Sequence, residues 1–166
     1  MSSLDYSASL SEINIREFRP GDKAAFRSLN EEWITRYFRL EPKDEKTFDD
    51  PEGSILKTGG KIFFAILNEQ CVGCCALLRI GDDEFEVAKM AVTPAHQGKG
   101  IARRLLSAVI EEARRTGTKR LYLETNHSLT PAIRLYESLG FKHLPPSRIT
   151  PSPYARADVY MELDLQ

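Results

Sequence analysis

Val87-Ala88-Lys89-Met90-Ala91-Val92-Thr93-Pro94-Ala95-His96-Gln97-Gly98-Lys99-Gly100-Ile101-Ala102 is the stretch that decides how the rest of the chain is read. A strand-like run ends near Val92, Pro94 breaks it, and a glycine-rich turn opens a helix. Leu105, Leu106, Val109, Ile110 and Ala113 recur on one helical face, which predicts the helix over residues 98–116, with Gly117 just past its end. The first turn of a helix carries backbone N–H groups without intrahelical acceptors, and the helix dipole adds partial positive charge there. A diphosphate is the natural guest of such a turn. Gly98 and Gly100 let oxygens approach the main chain with no Cβ in the way, Ala102 keeps the helix side slim, and Lys99 and Arg103 bring positive charge.

Other phosphate turns fit less well. A dinucleotide fingerprint requires Gly-x-Gly-x-x-Gly, and Arg103 occupies the third glycine position. A P-loop requires Gly-Lys followed by Ser or Thr, whereas Gly98-Lys99 is followed by Gly100. The bland alternative is a helix start that merely needs two conformational glycines.

Upstream of this stretch, residues 12–18 alternate as a strand, and Asp22 is a candidate N-cap for a helix carrying Ala25, Phe26, Leu29, Trp33, Tyr37 and Phe38 at helical spacing. Residues 40–60 are rich in Pro, Asp, Glu and Gly and read as a loop with room for one short helix. Residues 61–67, 72–80 and 84–92 form three strand-like runs separated by short turns, hence an antiparallel meander; the third alternates least cleanly. Downstream, residues 121–125 read as a strand, 131–139 as a short helix closed by Gly140, and 141–144 and 159–165 as two last strands flanking a Pro-rich loop. The fold class is therefore α+β, with a mixed, mostly antiparallel central sheet and helices on both faces, in the order β-α-β-β-β-α-β-α-β-β. Residues 1–11 are polar and read as a flexible N-terminal segment, leaving one domain over 12–166.

Composition narrows the function classes. With 42% hydrophobic and 28% charged residues the balance is globular. The 23 basic and 24 acidic side chains leave a net charge of -1, so no basic footprint points to nucleic acid. No apolar run is long enough to cross a bilayer, and the N-terminus lacks a signal-like pattern, so a cytoplasmic protein without membrane partners is expected. Cys71 and Cys74 form Cys-x-x-Cys beside Cys75, but no His or second Cys pair completes a zinc set. They read as small strand side chains, and no metal is expected.

Gln97-x-x-Gly100-x-Ala102 resembles the Q/R-x-x-G-x-G/A signature of the GNAT superfamily of acyl-CoA-dependent N-acyltransferases. Met90-Ala91-Val92 with Pro94 is similar to the family's fourth strand, and Leu135-Tyr136-Glu137-Ser138-Leu139-Gly140-Phe141 to its late helix and turn, so the likeness runs over nearly the whole chain. The resemblance implies an acetyl-CoA-dependent acetyltransferase acting on an amine of a small molecule or peptide, as a monomer or homodimer. A non-catalytic acyl-CoA sensor is the alternative. The CoA pyrophosphate would rest on the N–H groups of Gly98, Lys99, Gly100, Ile101, Ala102 and Arg103 beside Gln97, and the pantetheine would pair with main chain at Met90, Ala91 and Val92, a strand addition. Where many relatives carry an Asn before the late helix this chain has Leu129, with Asn126 as a substitute.

The same likeness marks Tyr136 as the acid that protonates the leaving thiol, since a phenol is neutral at working pH and can donate; the other reading is packing beside Leu135 and Phe141. The resemblance also implies Glu86 as the candidate base, since it precedes Gln97 by the spacing that several relatives show between a strand glutamate and the signature; the other reading is a solvent-facing side chain, and His127 is the runner-up. Direct attack in a ternary complex is the implied route, rather than an acyl-enzyme on Cys74 or Cys75. Trp33, Tyr37 and Glu41, with Asp44, are candidates for the acceptor pocket, though the aromatics equally suit the core and the acids solvent.

Overall fold

The computed structural model describes residues 12–166, so the expected N-terminal segment 1–11 lies outside the described residues. Along the chain run β1 (Asn14–Glu17), α1 (Lys23–Tyr37), α2 (Pro42–Asp49), β2 (Lys61–Leu67), β3 (Gln70–Arg79), β4 (Glu84–Val92), α3 (Ile101–Arg115), β5 (Arg120–Thr125), α4 (Thr130–Ser138), β6 (Lys142–His143) and β7 (Val159–Asp164). The strands form one sheet in the order β1-β2-β3-β4-β5-β7-β6. Neighbours are antiparallel except β4 and β5, which are parallel. The α+β class and element order expected from the sequence are those observed. Between α1 and β2 lie α2 and a π-helical turn at Glu52–Leu56, so the loop expected there is mostly helical.

The sheet divides two cores. α3 and α4 cover one face, where Leu105, Leu106, Val109 and Ala113 meet Cys75, Leu77, Val87, Leu121, Leu123 and Met161. α1 and α2 cover the other, where Phe26, Ile34 and Phe48 meet Ile62, Phe64, Cys74 and Ala91. Asp22 precedes α1 without capping it: its carboxylate turns back to Arg16 at 2.7 Å and to the Arg19 N–H at 2.7 Å. α2 is better closed, with Pro42 at its first position and the Asp44 carboxylate accepting the Glu41 N–H at 2.9 Å. The β2–β3 hairpin turns on Asn68 and Glu69 at φ of 50° and 64°, the left-handed pair of a type I′ turn.

Strand β4 carries the feature that shapes the site. Cys74 pairs with Ala91 and Ala76 with Ala88, so Lys89 and Met90 together oppose Cys75, and Lys89 has φ 52°. This is a β-bulge, and it changes the parity of the strand. Val87 belongs to the α3-side core but Ala91, four residues on, belongs to the α1-side core; strict alternation would put both on one face. The bulge is the physical reason that the third run alternates poorly in the sequence.

Candidate active site

β4 and β5 pair only from Glu84↔Arg120 to Val87↔Leu123. Beyond Val87 the strands diverge, and β4 keeps β3 on one side while its other edge, residues 88–92, faces a wedge. The wedge widens into a cleft of about 160 Å³ lined by Glu86, Lys89, Met90, Glu124, Tyr136 and Arg156 among others. Trp33, Ile34, Phe38 and Leu78 give it one apolar wall.

Past the end of the wedge comes the glycine turn. Gly98 and Gly100 have φ of 77° and 79°, a region that favours glycine. The first α3 backbone bond outside the helix body runs from Arg104 N to Gly100 O at 3.1 Å, so the amides before it have no intrahelical acceptor. Gln97 ties the turn to the strand by donating to Val92 O at 3.2 Å, and Arg103 is tied to the Ser138 hydroxyl at 2.9 Å. Ile101 and Ala91 bury their side chains in the two cores. Met90 and Val92 pack against the α3-side core, on the stretch of β4 beyond its last pair with β5.

The titratable residues meet in the cleft. Glu86 makes no hydrogen bond among the described residues and lines the cavity. Burial and the nearby Glu124 push its carboxyl up to about 7, against the pull of Lys89 and Lys43. Glu124, absent from the sequence candidates for this site, is fixed by the Tyr122 hydroxyl at 3.1 Å and the Ser152 hydroxyl at 2.7 Å. Tyr136 is 8% exposed, lies edge-on to Phe141 with ring centroids 6.0 Å apart, and reaches the cleft from α4. Burial raises its phenol, so it stays protonated at working pH. Cys74 and Cys75 are fully buried, and burial pushes the Cys74 thiol up to about 12, which leaves no thiolate nucleophile.

A second cluster forms the outer wall. Asp44 is fully buried and receives Lys89 Nζ at 2.8 Å and both Arg156 terminal nitrogens at 2.7 Å. Burial alone would raise its carboxyl, but the Arg156 and Lys89 bonds outweigh that and hold it at about 2. Lys89 also donates to the Tyr154 hydroxyl at 3.0 Å, and Arg156 to Glu41 at 3.1 Å. The bulge delivers Lys89 to this cluster.

The remaining sequence candidates fall unevenly around the cleft. Trp33 lines it. Tyr37 is 46% exposed and stacks outside on Trp33, at 6.0 Å between ring centroids. Glu41 lies behind the wall, bonded to Arg156 and the Ala155 N–H. Asn126 lines the cleft with its amide spent on Arg156 O and on Ser128. His127 is exposed and paired with Asp158, away from the cavity. Among the described residues no group of three or more His, Cys, Asp or Glu side chains could hold a metal. Nor, among the described residues, is any helix long and apolar enough to cross a membrane.

A mixed sheet opened between two parallel strands, with a phosphate-type turn at the wedge, defines the class of fold. The family model described as "Acetyltransferase (GNAT) family" matches residues 24–141, and the chain belongs to that family. It is 46% identical over 72 residues to the uncharacterized N-acetyltransferase YjgM of Escherichia coli K12, covering 43% of each chain. It is 34% identical over 100 residues to the [ribosomal protein bS18]-alanine N-acetyltransferase of the same organism, 60% of this chain and 64% of that one. The matches thus span between two fifths and two thirds of those relatives' lengths. Among solved structures, an acetyltransferase of the GNAT family from Staphylococcus aureus Mu50 superposes with a TM-score of 0.84 at 21% identity, covering 93% of this chain and 99% of that one. YncA, a putative acetyltransferase from Salmonella typhimurium solved with acetyl-CoA, gives 0.73 at 24% identity, covering 93% and 95%.

Proposed function

We propose that the protein is an acetyl-CoA-dependent N-acetyltransferase that acts by direct attack within a ternary complex. The observation that carries this reading is the continuity of three features: the free amides before Arg104, the open edge of β4, and the cleft holding Glu86 and Tyr136. A diphosphate on residues 98–103 and a pantetheine beside residues 90–92 would carry a thioester into that cleft. Glu86 takes the proton from the acceptor amine, directly or through water, as the C–N bond forms. Tyr136 gives its proton to the sulfur as the C–S bond breaks; afterwards Glu86 releases the proton it took to solvent and the Tyr136 phenolate regains one from solvent. Composition supports a cytoplasmic setting, with a monomer or homodimer as the working unit.

Acetyl-CoA is expected to raise the melting temperature, by about 2.7 kcal/mol of linkage at a hundredfold excess over Kd, and NAD much less. Gly100→Val is expected to abolish that shift, because a β-branched side chain resists φ 79° and occupies the ligand's approach. Circular dichroism of the variant checks that the fold persists. Equal stabilisation of the wild type by NAD would count against the assignment.

Tyr136→Phe is expected to retain acetyl-CoA binding and lower kcat roughly tenfold or more, since only the donated proton is removed. Steady-state kinetics with a good acceptor are the measurement. An unchanged kcat returns the ring to a packing role against Phe141.

A further inference from the structure

The cleft lining carries both signs of charge. It holds two carboxylates, Glu86 and Glu124, two cations, Lys89 and Arg156, and the apolar side chains of Trp33, Ile34, Phe38 and Leu78. The two cations are held by Asp44 and Glu41, neither of which lines the cavity. Lys89 Nζ uses two donors, on Asp44 and Tyr154, and among the described residues its third N–H has no partner. Arg156 uses its terminal nitrogens on Glu41 and Asp44, and its Nε has none among the described residues. Lys43 adds a third positive charge outside, its Nζ 5.4 Å from the Tyr154 ring centroid. Two donors of the lining residues, the third N–H of Lys89 and Nε of Arg156, are therefore left for a ligand.

We propose that the acceptor is a small zwitterion of the amino-acid type, its ammonium toward Glu86 and Glu124 and its carboxylate against Lys89 and Arg156. The inference rests on the acetyltransferase reading and names the substrate class of the same site. A zwitterion meets both signs of the lining at once, whereas a polyamine brings a second cation toward Lys89 and Arg156. A peptide N-terminus has no carboxylate near its amine and leaves those donors unmet. The apolar wall receives the side chain of the acceptor.

The test is a thiol-release assay of the full chain with acetyl-CoA and alanine, valine, leucine, methionine and phenylalanine, each against its own α-amide, with spermidine and an alanine-terminated peptide alongside. The best amino acid is expected to exceed its amide in kcat/KM roughly tenfold or more, the scale of a charge-assisted hydrogen bond. The bias runs against the proposal, because the amide's amine is the weaker base and arrives deprotonated more often. In the double variant Asp44→Asn with Arg156→Gln, which removes a cation together with its buried counterion, the KM of the amino acid should rise and the acid-to-amide ratio should fall toward one. If this variant does not fold, the wild-type ratio decides alone. Preference for an amide, spermidine or the peptide overturns the zwitterion while the acetyltransferase stands, and so does an unchanged ratio in the folded double variant. Binding of acetyl-CoA without turnover of any amino acid overturns it equally. Failure of acetyl-CoA to shift the melting temperature overturns both readings.

Discussion

Glu86→Gln is expected to slow acetyl transfer at neutral pH by roughly 10²-fold, the lower end of the range for a lost general base, while the shape of the cleft is kept. The pH profile carries the diagnosis. With its carboxyl pushed up to about 7, wild-type Glu86 is ionised above that value and protonated below it, so activity should rise with pH through about 7 and then level. The variant should lack this limb and instead recover toward high pH, where more of the acceptor amine arrives already deprotonated. A role limited to holding a cationic acceptor would appear as a raised KM with kcat little altered. If the variant follows the wild-type profile throughout, the base lies elsewhere and Glu124, the other carboxylate of the cleft, becomes the residue to test.

Asp44→Ala is expected to lower the unfolding free energy by about 3–5 kcal/mol, because it strands two cations that share one fully buried carboxylate. The helix loses its N-terminal partner for Glu41 N–H in the same step. Urea denaturation of both proteins gives the difference directly. Acid provides an independent check of sign. A carboxyl held at about 2, below its ordinary value near 3.8, contributes stability that is complete above the ordinary value and is lost as pH falls through the folded one. Wild type should therefore lose an Asp44 increment between about pH 4 and pH 2, and the alanine variant should show no such increment.

The phosphate turn and the order of elements were legible because they are local: glycine positions, apolar periodicity and turn residues all lie within a few positions of one another. Glu86, Tyr136 and Trp33 were read as site candidates, and all three line one cleft. The Lys89–Asp44–Arg156 cluster was not legible, since its members stand 45 and 112 residues apart. A weak signal was present in Lys89, a charge inside an otherwise apolar part of β4. Glu124 was also missed here, although its alternation with Tyr122 places both on one face of β5. Tyr37 and Glu41 belong to the same stretch as Trp33, yet one helical turn moves a side chain from the cavity to the surface, and spacing alone does not fix which.

The seam between β4 and β5 is only four residue pairs long. Seen as a mechanical object, the sheet is two leaves: β1 to β4 on one side, β5 to β7 on the other, clasped at Val87 and gaping beyond it. A ligand lying in that gap would contribute main-chain bonds to one leaf and contacts to the other, and so would act as a removable rung. The stiffness of the two halves relative to each other would then depend on whether that ligand is bound, the sheet borrowing a piece that its own sequence leaves out.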